Sequence, residues 1–202
     1  MTTYYYNGAQ ILAPLSIVSN TPTYEADTVS LKKLRASQGH QRWELSFNAM
    51  ANDNAADLLL SSVENLAIAD TMVMPQLKEV EEANTILGEL LVTEITPANS
   101  GVVKINNTAA TGGVLKKGSF IKFSNHDKVY VVSQDLSMQG FSGTVDLNIF
   151  PKLKKAMAAD TEVKYGSECM ITYFRKIENM QGIKFSDGIL SDLGTIELVE
   201  AI

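Results

Sequence analysis

Alternating apolar and polar residues predict a half-buried strand at residues 42–50. Trp43, Leu45, Phe47 and Ala49 alternate there with polar side chains. Successive side chains of a strand point to opposite faces, so a period of two gives one buried face and one solvated face. This segment is the clearest strand signal in the chain, and Trp43 belongs to its buried face.

A helical pattern follows this strand. Asn52, Asp53 and Asn54 are residues that cap helix N-termini, and apolar residues then recur mostly at spacings of three and four. The pattern predicts an amphipathic helix over residues 54–68. Further along, residues 78–82 are charged, which leaves that segment open between helix and loop.

From Pro97 onward, short strands alternate with turn residues. The predicted strands are rich in Val, Ile and Phe, and they cover residues 102–105, 120–123, 128–132, 144–150 and 163–165. This pattern is typical of a small antiparallel barrel or sandwich. We predict that residues 97–166 form a small β-barrel domain inserted into a host domain, although two tandem halves would give a similar pattern.

The host domain would then consist of residues 1–96 and 167–202. Residues 11–18 read as a strand in which Pro14 favours an edge or an irregular start, and residues 170–177 and 195–199 supply closing strands. The predicted fold class is therefore mainly β: a β-sandwich with one short α-helix, carrying the inserted small β-barrel.

Composition removes several classes of function. The 202 residues carry a net charge of −6, which is unfavourable for general nucleic-acid binding. One cysteine, Cys169, allows neither an internal disulfide nor a multi-cysteine zinc site. Short, charge-interrupted apolar stretches and the absence of a secretory signal predict a protein that is made in the cytoplasm and does not enter a membrane.

The candidate chemical groups all have simpler structural interpretations. His126 and Asp127 lie between two predicted strands, where a hairpin turn is favoured over a general base or half of a metal site. His40 is expected to be solvated or at an interface, and Cys169 to be a buried small hydrophobe. The sequence thus predicts no catalytic residue, no metal and no cofactor. The acidic residues Glu79, Glu81, Glu82 and Glu89 are interpreted as an exposed loop, or else as a surface facing DNA that it must not bind.

Two blocks of sequence resemble structural proteins of tailed-bacteriophage tails and baseplates, of the distal-tail or tail-tube-like kind. The first block is the strand at residues 39–47, followed by the predicted helix and Met72-Val73-Met74-Pro75. The second comprises residues 115–123, 128–132 and 145–153, although Ser119 stands where the family pattern has an acidic residue. The resemblance covers most of residues 28–202.

This resemblance implies a non-enzymatic virion protein with a tail-tube-like β-sandwich. It implies a homo-oligomeric ring, commonly a hexamer, that joins the tail tube, hub and outer baseplate components, with DNA only as passing cargo. The candidate assembly contacts are Tyr4, Tyr5, Tyr6, Met138 and Met180, since aromatic and Met side chains are adaptable interface residues. For the tyrosines, an equally weighted alternative is that one packs on the host domain while the others stay in solvent.

Three other functions remain open at this level. A neck or head–tail connector subunit belongs to the same class of protein. A carbohydrate- or receptor-binding module would require exposed aromatic residues grouped in one pocket, whereas Trp43 is predicted to be buried. A hydrolase would require His126, Asp127 and a nucleophile to converge.

Overall fold

The computed structural model describes residues 3–27, 33–37, 40–50, 69–109, 112–138, 143–176, 184–186, 189–192 and 194–202. Within these residues the chain is mainly β, as predicted, with a single short α-helix. The strands are β1 (Tyr5–Tyr6), β2 (Ala9–Asn20), β3 (Thr23–Asp27), β4 (Lys33–Ser37), β5 (Arg42–Met50), β6 (Asp70–Val73), β7 (Leu90–Val92), β8 (Val102–Asn107), β9 (Gly113–Leu115), β10 (Phe120–Phe123), β11 (Val129–Val132), β12 (Leu136–Met138), β13 (Val145–Phe150), β14 (Glu162–Tyr165), β15 (Met170–Arg175), β16 (Lys184–Ser186), β17 (Ile189–Asp192) and β18 (Ile196–Glu200). The helix is α1 (Lys78–Ala83).

The chain divides into two compact units, which we call the barrel unit and the sheet unit. The barrel unit contains Thr71–Thr172, together with Met1–Tyr4 and Ala201. The sheet unit contains Tyr5–Asp70 and Tyr173–Glu200, together with Ile202. The predicted domain limits at residues 97 and 166 stay a prediction, and strand β7, which precedes residue 97, is one of the barrel strands.

The sheet unit contains β1, β2, β5, β18 and the second half of β15, which belong to a six-stranded sheet with the order β1-β2-β5-β18-β15-β6. Strand β5 has the bounds and the alternation predicted for it: Trp43, Leu45 and Phe47 are buried, Ala49 is half-buried and Asn48 is exposed. This pattern confirms that one face of the strand packs into the core while the other meets solvent.

Strand β2 is irregular where the sequence predicts irregularity. Its pairing with β5 shifts between Leu12 and Ser16, on either side of Pro14. Proline has no backbone N–H to donate to a neighbouring strand, so it is tolerated at an edge or at a break in the register. Two further antiparallel pairs, β3 with β4 and β16 with β17, complete the described strands of the unit.

The barrel unit contains a closed barrel with the strand order β10-β11-β13-β8-β7-β14. Strand β14 pairs with both β10 and β7 and so closes the barrel, and it contains the strand predicted at residues 163–165. Every pair of neighbouring strands is antiparallel. Ile121, Phe123 and Leu147 are among the interior side chains with no exposed surface. The barrel interior is therefore a packed core.

Helix α1 occupies the segment that its charge left open between helix and loop. Only Val80 of its side chains is buried, so its sequence has too few apolar positions to show a helical period. The amphipathic helix predicted at residues 54–68 lies outside the described residues.

Candidate assembly surfaces

Three adjacent strands carry apolar side chains on the outer face of the barrel. On β13, Leu147 and Ile149 point inward, so Phe150 at the opposite parity points outward and is 48% exposed. Phe150 lies directly opposite Val131 on β11, and Val102 on β8 is 40% exposed. We call Val102, Val131 and Phe150 the outer apolar patch. Such a patch on a folded domain is suited to contact with another protein.

Polar and charged residues surround this patch on the barrel surface. Lys104 on β8 forms an ion pair with Glu94, with 3.0 Å between Nζ and Oε1. Asp146 and Asn148 alternate with the inward-facing residues of β13. Ile95, in the connection between β7 and β8, is the most exposed large apolar side chain among the described residues. An apolar centre with a polar rim is the usual composition of a protein interface.

The sheet unit presents an open strand edge. Strand β1 pairs with β2 only at Ala9 and Gln10, and no described strand pairs with the rest of β2 on the side away from β5. Val18, near the far end of β2, is half-exposed. A row of backbone groups at a sheet edge is a template for pairing with another strand.

The β3–β4 hairpin carries a second exposed apolar surface. Tyr24 on β3 and Leu34 on β4 are 66% and 59% exposed. Ala26 lies opposite Leu34, and Tyr24 points to the same face because it is two residues from Ala26. Glu25 lies on the other face. We call Tyr24, Ala26 and Leu34 the hairpin face.

The three N-terminal tyrosines lie in three different environments. The Tyr4 hydroxyl accepts a hydrogen bond from Gln76 N at 2.8 Å, and burial raises the pKa of this hydroxyl. Tyr5 is 57% exposed on β1. Tyr6 is buried, with its ring centroid 5.5 Å from that of Phe47 and 6.0 Å from that of Tyr173. Of the three, Tyr5 offers the most surface to a partner.

The two methionine candidates differ in what the structure describes. Met138, on β12, is 3% exposed and belongs to the barrel core. Met180 lies outside the described residues. The assembly role of all five candidate residues stays a prediction.

The residues considered for catalysis differ in their exposure. His126 is buried in the turn between β10 and β11, whereas the neighbouring Asp127 and the distant His40 are exposed. This position confirms the turn interpretation of His126 and Asp127. Cys169 forms no disulfide and has no exposed surface, as expected for a small hydrophobe.

One surface cleft lies beside β14 in the barrel unit. It encloses about 530 Å³ and is lined by Gly88, Glu89 and residues 162–168. Lys164 forms ion pairs with Glu162 and Glu168, and the bond to Glu162 raises the pKa of Lys164. The Tyr165 hydroxyl donates to Gly88 O at 2.9 Å, and burial raises its pKa. Three charged groups of the cleft, Glu162, Lys164 and Glu168, are thus paired with one another.

The described part of the chain has no cluster of metal-ligand residues and no helix that could span a membrane. Its His, Cys, Asp and Glu side chains form no group of three that could hold a metal ion. None of the helices in that part is both long enough and apolar enough to cross a bilayer.

The alternation of residues along β13 is a sequence signal for the outer apolar patch. Alternation along β13 places Phe150 with Asp146 and Asn148, on the face opposite Leu147 and Ile149. An aromatic residue at a solvent-facing parity therefore marks a contact candidate. On β3, Tyr24 and Ala26 also alternate with polar residues, but this strand is only five residues long.

Comparison with known proteins connects the barrel to phage tails. Residues 82–164 match the family described as distal tail protein pb9, B domain, and these residues include five of the six barrel strands and all of β14 except Tyr165. The match supports a structural protein of a tailed-phage tail, and hence a component of the virion. Proteins of this kind are generally non-enzymatic. No curated protein matches the chain.

Proposed function

We propose that the chain is a ring-forming subunit of the distal tail or baseplate, which joins the tail tube, the hub and outer baseplate proteins. The match of residues 82–164 to a distal tail protein domain carries this proposal. The ring contains copies of this chain, six in the arrangement that the sequence resemblance implies. The protein is made in the host cytoplasm and then enters the virion.

The division of the chain supports an inserted-domain organisation. The main segment of the barrel unit, Thr71–Thr172, lies in sequence between the two segments of the sheet unit. In the proposal, the sheet unit forms the ring and the barrel unit is the domain inserted into it. The open edge of β2 and the hairpin face are the surfaces that contact the next copy, which makes a head-to-tail contact around the ring axis.

The distribution of charge supports the same division of roles. The segments Tyr5–Asp70 and Tyr173–Glu200 carry 12 acidic and 7 basic residues, a net charge of −5 out of the −6 of the whole chain. In the proposal, this acidic unit surrounds the channel, where like charge keeps passing DNA from adhering. The nearly neutral barrel unit, with its outer apolar patch, contacts other tail proteins.

Antibody-gold labelling of phage particles tests the location. The proposal predicts label at the tail end far from the head, seen by electron microscopy. Label at the neck would instead identify a head–tail connector subunit. Absence of label from intact and broken particles would overturn the proposal of a virion protein and reopen receptor binding and hydrolysis.

Matched variants test the ring contacts. Tyr24→Ser combined with Leu34→Ser removes the exposed apolar side chains of the hairpin face, and native mass spectrometry is expected to show monomers in place of rings. Phe150→Ser is the control, because it changes an exposed aromatic residue in the barrel unit and should leave the ring intact. Loss of rings in the control alone would contradict the assignment of ring formation to the sheet unit.

A further inference from the structure

A buried histidine lies at one end of the barrel, in the turn between β10 and β11. The side chain of His126 is 3% exposed. Its ring centroid is 5.9 Å from that of Phe123 and 5.9 Å from that of Tyr130. An ionisable side chain is thus enclosed by aromatic rings, in surroundings that favour its neutral form.

The Tyr130 hydroxyl connects this histidine to a neighbouring loop. His126 Nδ1 is 2.8 Å from Tyr130 Oη, and the backbone N–H of Lys154 donates to the same hydroxyl at 3.1 Å. We call residues 151–160, between β13 and β14, the end loop. One hydroxyl group therefore joins the turn, strand β11 and the end loop.

The end loop closes the barrel core. Leu153 and Met157 from this loop are buried in the core. Leu153 N donates to Ser100 O at 2.8 Å, and Met157 forms a bridge with Thr96. Displacing the loop would expose both apolar side chains, so its position decides whether this end of the core is covered.

The hydrogen-bond chain depends on the protonation of His126. When Nδ1 carries no proton, the Tyr130 hydroxyl donates to it while accepting from Lys154 N. Protonation of Nδ1 turns it into a donor, so the Tyr130 hydroxyl proton loses this acceptor. The bond between His126 and Tyr130 then reverses, and the Tyr130 oxygen receives two donors in place of one.

The charges around His126 come from the turn and from the end loop. Burial is the main cause that lowers the pKa of His126, and the ammonium groups of Lys155 and Lys154 on the end loop lower it further. The Ala156 carbonyl and the Asp127 carboxylate oppose these effects. A proton added to His126 would therefore lose solvation and meet the two ammonium groups of the end loop, while the Ala156 carbonyl of the same loop would still accept from the ring.

We propose that His126, Tyr130 and the Lys154 backbone form an acid-sensitive latch, which holds the end loop across the barrel when His126 is neutral and releases it when His126 is protonated. This inference is independent of the function proposed above. Because the latched state has the lower His126 pKa, the latch is at full strength above the ordinary His pKa of about 6.5. It weakens as the pH falls below that value and through the lowered pKa.

Amide hydrogen exchange of the full chain between pH 7.5 and 5 tests the latch. Protection factors divide out the intrinsic pH dependence of exchange. For the Lys154 amide, protection is expected to fall by up to about tenfold per pH unit between the two pKa values, because one proton is linked to opening. Amides of β8 and β13 should keep their protection. A constant Lys154 protection factor, or a parallel loss in the strands, would overturn a local latch.

Two variants and one control separate the latch from general acid sensitivity. His126→Gln removes the titrating group, so the protection of Lys154 should lose its pH dependence. Tyr130→Phe removes the connecting hydroxyl, so Lys154 should be weakly protected even at pH 7.5. His40→Gln removes the exposed histidine and should behave as the wild type. Should His126→Gln fail to fold, the Lys154 amide is followed by NMR during a pH titration of the wild type and of His40→Gln. An equal pH-dependent change in both supports the latch, and no change in the wild type overturns it.

Discussion

A single glycine shows how closely the barrel unit is packed at the level of one residue. A Cβ added at Gly113 on β9 would lie 2.5 Å from Thr85 O and 2.6 Å from Ile86 Cα. Both are backbone atoms, which cannot move aside as the tip of a flexible side chain can. The Thr85 backbone is also held to β9, because Thr85 N donates to Val114 O at 2.9 Å.

We predict that Gly113→Ala lowers the free energy of unfolding by about 1–3 kcal/mol, the usual cost of forcing an extra atom into a packed site. Urea denaturation measures this change. Gly101→Ala is the matched control, because its nearest contact would be an ordinary 3.9 Å from Ile149 O. Equal destabilisation by the two substitutions would contradict the argument from close contact.

At the level of one element, the Gln76 side chain pairs with the backbone of β10 as a neighbouring strand would. The side-chain amide of Gln76 accepts from Phe120 N at 2.9 Å and donates to Phe120 O at 3.1 Å. Two hydrogen bonds to one residue reproduce the pairing that a neighbouring strand gives. Gln76 thereby holds the beginning of β10, while its own backbone is bound by the Tyr4 hydroxyl.

We expect Gln76→Ala to destabilise the chain by about 1–3 kcal/mol, because both backbone groups of Phe120 lose a partner. Faster hydrogen exchange of the Phe120 amide would localise the effect to β10. Gln134→Ala removes an exposed glutamine that accepts only from the Asn148 side chain, and it should leave stability nearly unchanged. An unaltered Phe120 exchange rate in Gln76→Ala would refute the strand-like role.

The elements that were predicted well are those in which one local pattern decides the structure. The alternation in β5 and the short apolar runs of β10, β11 and β13 were visible in sequence, because burial on one face or on both faces leaves a direct pattern. Helix α1 has only Val80 buried, so its type was undecided. The two hydrogen bonds between the Gln76 side chain and Phe120 join residues 44 positions apart, and no local pattern predicts such a contact.

For the candidate surfaces too, local patterns could be predicted from sequence, whereas contacts between distant residues could not. Phe150 is placed outward by the parity of its own strand and was within reach of sequence analysis. Tyr6 is different, because its burial depends on Phe47 and Tyr173, which are distant along the chain. Sequence alone does not distinguish a buried tyrosine such as Tyr6 from an exposed one when the residues that bury it are far away along the chain.

At the level of the whole molecule, the two units have separate buried residues. Leu147 lies in the barrel core and Leu45 on the buried face of β5, and each is at most 1% exposed. We predict two transitions in calorimetry, since units with separate cores need not unfold together. Leu147→Ala should lower one transition temperature and Leu45→Ala the other. Truncations of this kind reduce the free energy of unfolding by about 2–5 kcal/mol. A single transition, shifted by both substitutions, would contradict the division into two units.

The position of β18 in the sheet has a consequence for the order of events during translation. This strand lies between β5 and β15, so the sheet remains split until Ile196–Glu200 have been synthesised. All six barrel strands leave the ribosome earlier and pair only with one another. The barrel can therefore fold while translation continues, whereas the sheet forms last. A chain interrupted before β18 would carry a folded barrel but an incomplete sheet.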